Sequence, residues 1–120
     1  MNAVFNHSQV FAVPAAELFD AMVSRFAEWW GEEASLDPSV GGRVLSQVDG
    51  EREEGVVKKF EAPMKLSIEL GETLAMMILQ ESPEGTTLQL LHTRFASGDD
   101  RDRYAPNWEA RLARLATLVA

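Results

Sequence analysis

The chain contains no cysteine. Disulfides, thiolate nucleophiles and zinc–thiolate centres are therefore all excluded. Histidine is almost as scarce. His7 and His92 are the only two, too far apart for any HxH, HxxxH or HExxH spacing, so no metal site is expected. The acidic clusters Glu51-Arg52-Glu53-Glu54 and Asp99-Asp100-Arg101-Asp102 lack the Asp-x-Asp-x-Asp-Gly pattern of a calcium loop. They read as solvated turn residues. Positive charge is also in short supply. Eleven Lys and Arg face 19 Asp and Glu, a formal net charge of −8. A nucleic-acid partner needs a basic face, and so does an anionic membrane surface, so neither is expected. The longest apolar run, Leu74–Leu79, falls well short of the roughly 20 residues of a membrane span. The first residues have no basic stretch and no apolar stretch, so no signal peptide and a cytoplasmic location are expected. No phosphate loop, nucleophile elbow or dinucleotide fingerprint is present, and no cofactor is expected.

What the chain does contain is a long helical stripe at its end, preceded by short strands. Trp108, Leu112, Leu115 and Val119 fall at i, i+4, i+7 and i+11, one face of a helix, with Arg111 and Arg114 expected to point away from it. Ser97 to Asp100 supplies caps. Pro106 leaves two starts open: near Asp99 with a kink, or at Pro106 itself. Upstream, Val4 to Val13 reads as a strand and Ala15 to Val23 as a short helix begun by Pro14. A second short helix, capped by Ser24, places Phe26, Trp29 and Trp30 on one face and stops at Gly31. Gly31 to Gly42 reads as a loop. Five strands follow: Arg43–Val48, Glu53–Glu61, Lys65–Leu70, Thr73–Gln80 and Thr86–Phe95. Turns at Asp49-Gly50, Glu61–Met64, Gly71-Glu72 and Ser82–Gly85 join them. The order is β-αα-β-β-β-β-β-α. Hairpin connections make the sheet antiparallel. The fold class is α+β: a curved antiparallel sheet gripping one long C-terminal helix, in a single domain over residues 1–120.

These pieces resemble a known family. The residues that carry the resemblance are Val13-Pro14 with Leu18-Phe19-Asp20-Ala21, then Trp29-Trp30, Gly41-Gly42, and Gly55-Val56. Further on come Ala62-Pro63 with Leu66, Gly85-Thr86-Thr87-Leu88 with Leu90 and His92, and Asn107-Trp108 with Leu112 and Leu115. In that order they are similar to the activator-of-Hsp90-ATPase-like proteins of the START/Bet v 1-like (SRPBCC) superfamily. The resemblance runs over nearly the whole chain. It implies the helix-grip fold and a hydrophobic cavity, but no single shared activity. The Gly71-Glu72 turn is tighter than in longer members, which implies a smaller cavity or a wider mouth. No counterpart of the separate N-terminal domain of eukaryotic co-chaperones is expected.

Three functional readings follow. The first is a non-catalytic protein binding a small hydrophobic or amphipathic ligand, a lipid for instance, between the sheet and the last helix. Its lining would be Phe26, Trp30, Met76, Ile78, Leu88, Leu90, His92, Trp108, Leu112 and Leu115. Trp30, i+4 from Phe26, is a better pocket residue than Trp29. Met64, Met76 and Met77 serve equally as pliable wall or as core filler. The second is a protein-interaction or co-chaperone-like module, although no motif specifies a chaperone partner. The third is an enzyme resembling polyketide cyclases or hydrolases. His92 is its sole candidate base, and the plainer reading of His92 is a buried ring hydrogen-bonded near Trp108. A sheet edge or the aromatic face of the short helices could carry a dimer, but nothing in the sequence specifies an oligomeric state.

Overall fold

The computed structural model describes residues 2–48 and 50–120. Among them run β1 (Ala3–Phe11), α1 (Ala15–Ser24), α2 (Phe26–Trp29), β2 (Glu32–Leu36), β3 (Arg43–Val48), β4 (Glu51–Glu61), β5 (Lys65–Leu70), β6 (Thr73–Ser82), β7 (Gly85–Phe95) and α3 (Gly98–Leu118). The strands form one antiparallel sheet in the order β1-β7-β6-β5-β4-β3-β2. Every neighbour apart from β1–β7 is a sequence neighbour, as hairpin connections require. The proposed Asp49-Gly50 turn falls partly on Asp49, which lies outside the described residues. Gly71 has φ 60, a left-handed conformation that glycine adopts without a Cβ clash, so β5 can turn into β6 in two residues. Gly85 has φ 135, and a Cβ there would run into the backbone at Phe11 and Ala12. The start of β7 can therefore lie against the end of β1.

β2 corrects the sequence reading, which left Gly31 to Gly42 as a loop. Its Glu-Glu-Ala-Ser-Leu has only Ala34 and Leu36 as apolar residues, too short an alternation to mark a strand; it pairs with β3 at the sheet edge, and Ala34 is buried in the core. The second helix is corrected too. Ser24 ends α1 and donates to Asp20, while Arg25 stands at the N-terminus of α2 without a side-chain cap. Of the two starts considered for the last helix, the early one is observed. The Ser97 side chain accepts from the Asp100 N–H, and Pro106 lies inside the helix.

The core lies between the sheet and α3. Val57, Leu66, Ile68, Ala75, Met77, Leu79, Leu88 and Leu90 come from the sheet. Leu18, Met22, Phe26, Trp29 and Trp30 come from the short helices, and Trp108, Leu112 and Leu115 from α3. All are buried, so the stripe that starts at Trp108 is indeed the inner face of α3. Met76 and Ile78 are not part of this face. Their register partners are Leu91 and Gln89, whereas Ala75, Met77 and Leu79 oppose the buried His92, Leu90 and Leu88. Successive strand residues alternate sides, so Met76 and Ile78 point to the far side of the sheet and are only half-buried. The expectation that they line the same space as Leu88 and Leu90 is corrected.

Candidate functional site

The space beneath α3 is filled by aromatic rings. Trp29, Trp30 and Trp108 are all buried. Trp30 stacks on Phe26 with ring centroids 4.9 Å apart, and it meets Trp29 and Trp108 edge to face at 5.3 Å each. Offset and edge-to-face pairs of this kind add to the stabilisation from burial itself. Trp29 Nε1 donates to the Met22 carbonyl at 2.9 Å. Trp29 and Trp30 thus both belong to the core.

His92 sits fully buried in the same cluster. Its tautomer follows from its partners. Trp108 Nε1 is a donor only, and it lies 2.9 Å from His92 Nδ1. Nδ1 must therefore accept, which puts the proton on Nε2. That nitrogen lies 2.7 Å from Thr73 Oγ1, whose own hydroxyl donates to the Leu70 carbonyl. Protonating Nδ1 would break the bond from Trp108. Burial, and then the nearby Arg111 charge, push the His92 imidazole down to about 4. His92 lines neither of the two grooves described below.

The largest departure from the sequence reading is Arg111. It was expected to face solvent, yet it is 1% exposed. Its guanidinium lies 4.0 Å from the Trp30 ring centroid and 4.9 Å from that of Trp108. Its Nε donates to the Trp30 carbonyl at 2.8 Å. One terminal nitrogen donates to the Tyr104 hydroxyl at 2.9 Å and the other to Glu53 at 3.0 Å. Tyr104 in turn donates to Glu53. Burial drives the Tyr104 phenol well above its ordinary range; the Arg111 charge opposes that shift and the Glu53 charge adds to it. A buried guanidinium is tolerable only with its charge paired and its donors used, and Glu53, Tyr104 and the α2 carbonyl supply both. Tyr104, Trp108 and Arg111 stand at i, i+4 and i+7 on one flank of α3, a spacing that joins the helix-borne members of the cluster but not Glu53.

Arg114, one turn on, is exposed but also anchored. Its Nε donates to the Trp29 carbonyl at 3.0 Å. Arg111 and Arg114 together satisfy the carbonyls at the end of α2, where no helical partner exists. Among the described residues no carboxylate comes within salt-bridge distance of Arg114. Beside it opens a groove of about 420 Å³ between α2, the β2–β3 pair and the outer flank of α3. Trp30, Ala27, Val48 and Ala110 give it apolar surface, and Gln47, Asn107, Arg111, Arg114 and the carboxylates Glu28 and Glu32 give it polar groups. A smaller groove of about 300 Å³ runs along Ala12–Pro14 and Glu81–Gly85. Of the residues expected to line a chamber, Trp30 alone reaches the larger groove. Phe26, Leu88, Leu90, His92, Trp108, Leu112 and Leu115 are packed together in the core, and Met76 and Ile78 lie across the sheet. Among the described residues no group of three or more His, Asp or Glu side chains could hold a metal ion, and no helix is long and apolar enough to cross a membrane.

The fold has many counterparts. The Aha1 dimer from Colwellia psychrerythraea superposes with a TM-score of 0.87 at 15% identity, over 98% of this chain and 96% of that one. Protein MLL2253 from Mesorhizobium loti gives 0.80 at 21% identity over 97% and 96%. CalU16 from Micromonospora echinospora gives 0.77 at 22% identity over 100% and 85%. At such identities the likeness establishes the helix-grip fold alone. No curated protein matches the chain. The sequence itself matches the model of a family over residues 12–120, and the chain belongs to that family, the activator of Hsp90 ATPase homolog 1-like proteins.

Proposed function

We propose that the protein is a non-catalytic binding module, and that it holds a small amphipathic molecule in the groove between α2, β3 and the outer flank of α3. The observation that carries this reading is the contrast between a filled interior and an open flank. Trp29, Trp30 and Trp108 occupy the volume an enclosed ligand would need. The flanking groove, at about 420 Å³, falls within the roughly 300–1,000 Å³ of small-molecule sites. Its chemistry suits a ligand with two ends: an apolar part against Ala27, Val48 and Ala110, and a polar part with donors and acceptors toward Asn107, Gln47, Arg114 and the Glu28 and Glu32 carboxylates. Because Arg114 is already held by the Trp29 carbonyl, little side-chain freedom is lost when it engages a ligand.

Native mass spectrometry of freshly purified protein tests this reading. A small-molecule adduct is expected on the wild type and should vanish in Ala110→Trp, which fills the groove from an exposed position. A wild type without any adduct, or an adduct that survives Ala110→Trp, would sink the proposal. The family description favours a second reading, a co-chaperone-like module. The net charge of −8 would steer a basic partner surface toward it. A pull-down from cell extract that recovers no stoichiometric chaperone counts against that role.

A further inference from the structure

The two edges of the sheet are built on opposite principles. A free edge strand offers unpaired N–H and C=O groups to any other strand, and proteins protect such edges with shortness, charge and bulges. β2 has all three protections. It is five residues long, it carries Glu32 and Glu33, and its pairing is irregular between Glu32 and Ser35, with Glu33 at φ 53. β1, at the other edge, is nine residues long and pairs with β7 on one side only. Its single register irregularity lies at one end, between Ala3 and Phe5. It contains no Asp, Glu, Lys or Arg. The first such residue in the chain is Glu17, so the whole net charge of −8 is carried downstream of β1. Two apolar side chains on β1, Val4 and Val10, are 45% and 55% exposed.

We propose that β1 is a self-association edge, pairing antiparallel with β1 of a second copy of this chain about a twofold axis at His7. Charge argues for a second copy there. Two strongly acidic molecules repel wherever their carboxylates meet, and β1 is an edge at which none does. Register argues for the same occupant. Val4 and Val10 are an even number of residues apart, so they share the sheet face opposite to the core. Centring the pair on His7 sets Val4 of each copy directly opposite Val10 of the other. The two exposed apolar residues of one strand are then covered by the two of its partner, twice over. The same register places Asn6 against Ser8 and Phe5 against Gln9, so no Asp, Glu, Lys or Arg of one strand faces a like charge on the other. The result is a continuous fourteen-stranded sheet in which β1 is no longer an edge. Strand addition of this kind draws its affinity from main-chain hydrogen bonds. A small contact predicts a weak, concentration-dependent dimer.

Sedimentation velocity over a concentration series reads the equilibrium. The wild type is expected to shift from monomer to dimer as concentration rises. Val4→Lys with Val10→Lys puts like charges opposite each other at both pairs and should weaken association by about tenfold or more. This variant is less negative overall than the wild type, so the loss cannot come from net repulsion. Val4→Lys with Val10→Glu puts opposite charges at the same two pairs and should restore association. Circular dichroism verifies that both variants remain folded, as expected for exposed positions. Because the chain has no cysteine, His7→Cys provides a register test: under mild oxidation it should cross-link to a covalent dimer in far higher yield than Asn6→Cys or Ser8→Cys, whose partners across the axis are different residues. A wild type still monomeric at about 1 mM would overturn the proposal. So would a dimer indifferent to the paired lysines, or equal cross-linking at residues 6, 7 and 8.

Discussion

The inner face and the outer flank of α3 are built from the same helix but solve opposite problems. The inner face carries Trp108, Leu112 and Leu115 into the core, where they are buried together with Trp29 and Trp30. The outer flank carries Asn107, Ala110, Arg111 and Arg114 along an open groove. Arg111 is the hinge between them: its guanidinium packs on Trp30 and Trp108 yet lies at the floor of the groove. In a helix-grip protein the volume between helix and sheet is a choice, and here three tryptophans have taken it. The open surface lies on the flank, where charged and apolar groups meet.

The comparison breaks most severely at Arg111. Arg111→Ala leaves Glu53 without its counter-charge and removes packing from two indoles, and should cost about 3–5 kcal/mol. Removing both members, Arg111→Ala with Glu53→Ala, should cost less than the sum of the single changes; chemical denaturation of the double-mutant cycle measures this. Trp108→Ala tests the inner face. It should also cost about 3–5 kcal/mol, and it should open a cavity in whose wall His92 Nδ1 is left without its donor. Added indole should then raise the melting temperature of the variant and leave that of the wild type unchanged.

His92 sharpens the comparison through pH. Its folded value is about 4 against 6.5 when free, so the unfolded chain takes up a proton that the folded chain refuses. The folded state therefore loses stability as pH falls below about 6.5, by about 3 kcal/mol in all by the time pH reaches about 4. His92→Gln removes this slope between about pH 6.5 and 4.5, so denaturation curves of the two proteins should converge as pH falls. At the outer flank the effects are smaller. Arg114→Ala forfeits the contact with the Trp29 carbonyl and should cost about 1 kcal/mol, while Ala110→Trp should change stability by less than about 0.5 kcal/mol. Both should weaken binding in the groove.

Much of the fold could be read from residue pattern, because hairpin turns and a single amphipathic stripe leave few arrangements. The inner face of α3 was legible for that reason. β2 was not, since an edge strand of five residues with Ala34 and Leu36 alone as apolar residues shows too little alternation to stand out. The side of β6 was not legible either. Leu74–Leu79 is apolar at both odd and even positions, and only pairing with β7 decides that Met77 rather than Met76 faces α3. The floor of the candidate site was hidden by the rule that arginine faces water. Arg111 breaks that rule because Glu53, 58 residues earlier, is folded against it, and no local spacing records a partner so distant.

Xenon tests the central claim most directly, because it enters dry apolar cavities and little else. Crystals of the wild type under xenon pressure should show no xenon between α3 and the sheet. A xenon atom in the wild type among Leu88, Leu90 and Trp108 would mean that the chamber beneath α3 is open, and would contradict the account.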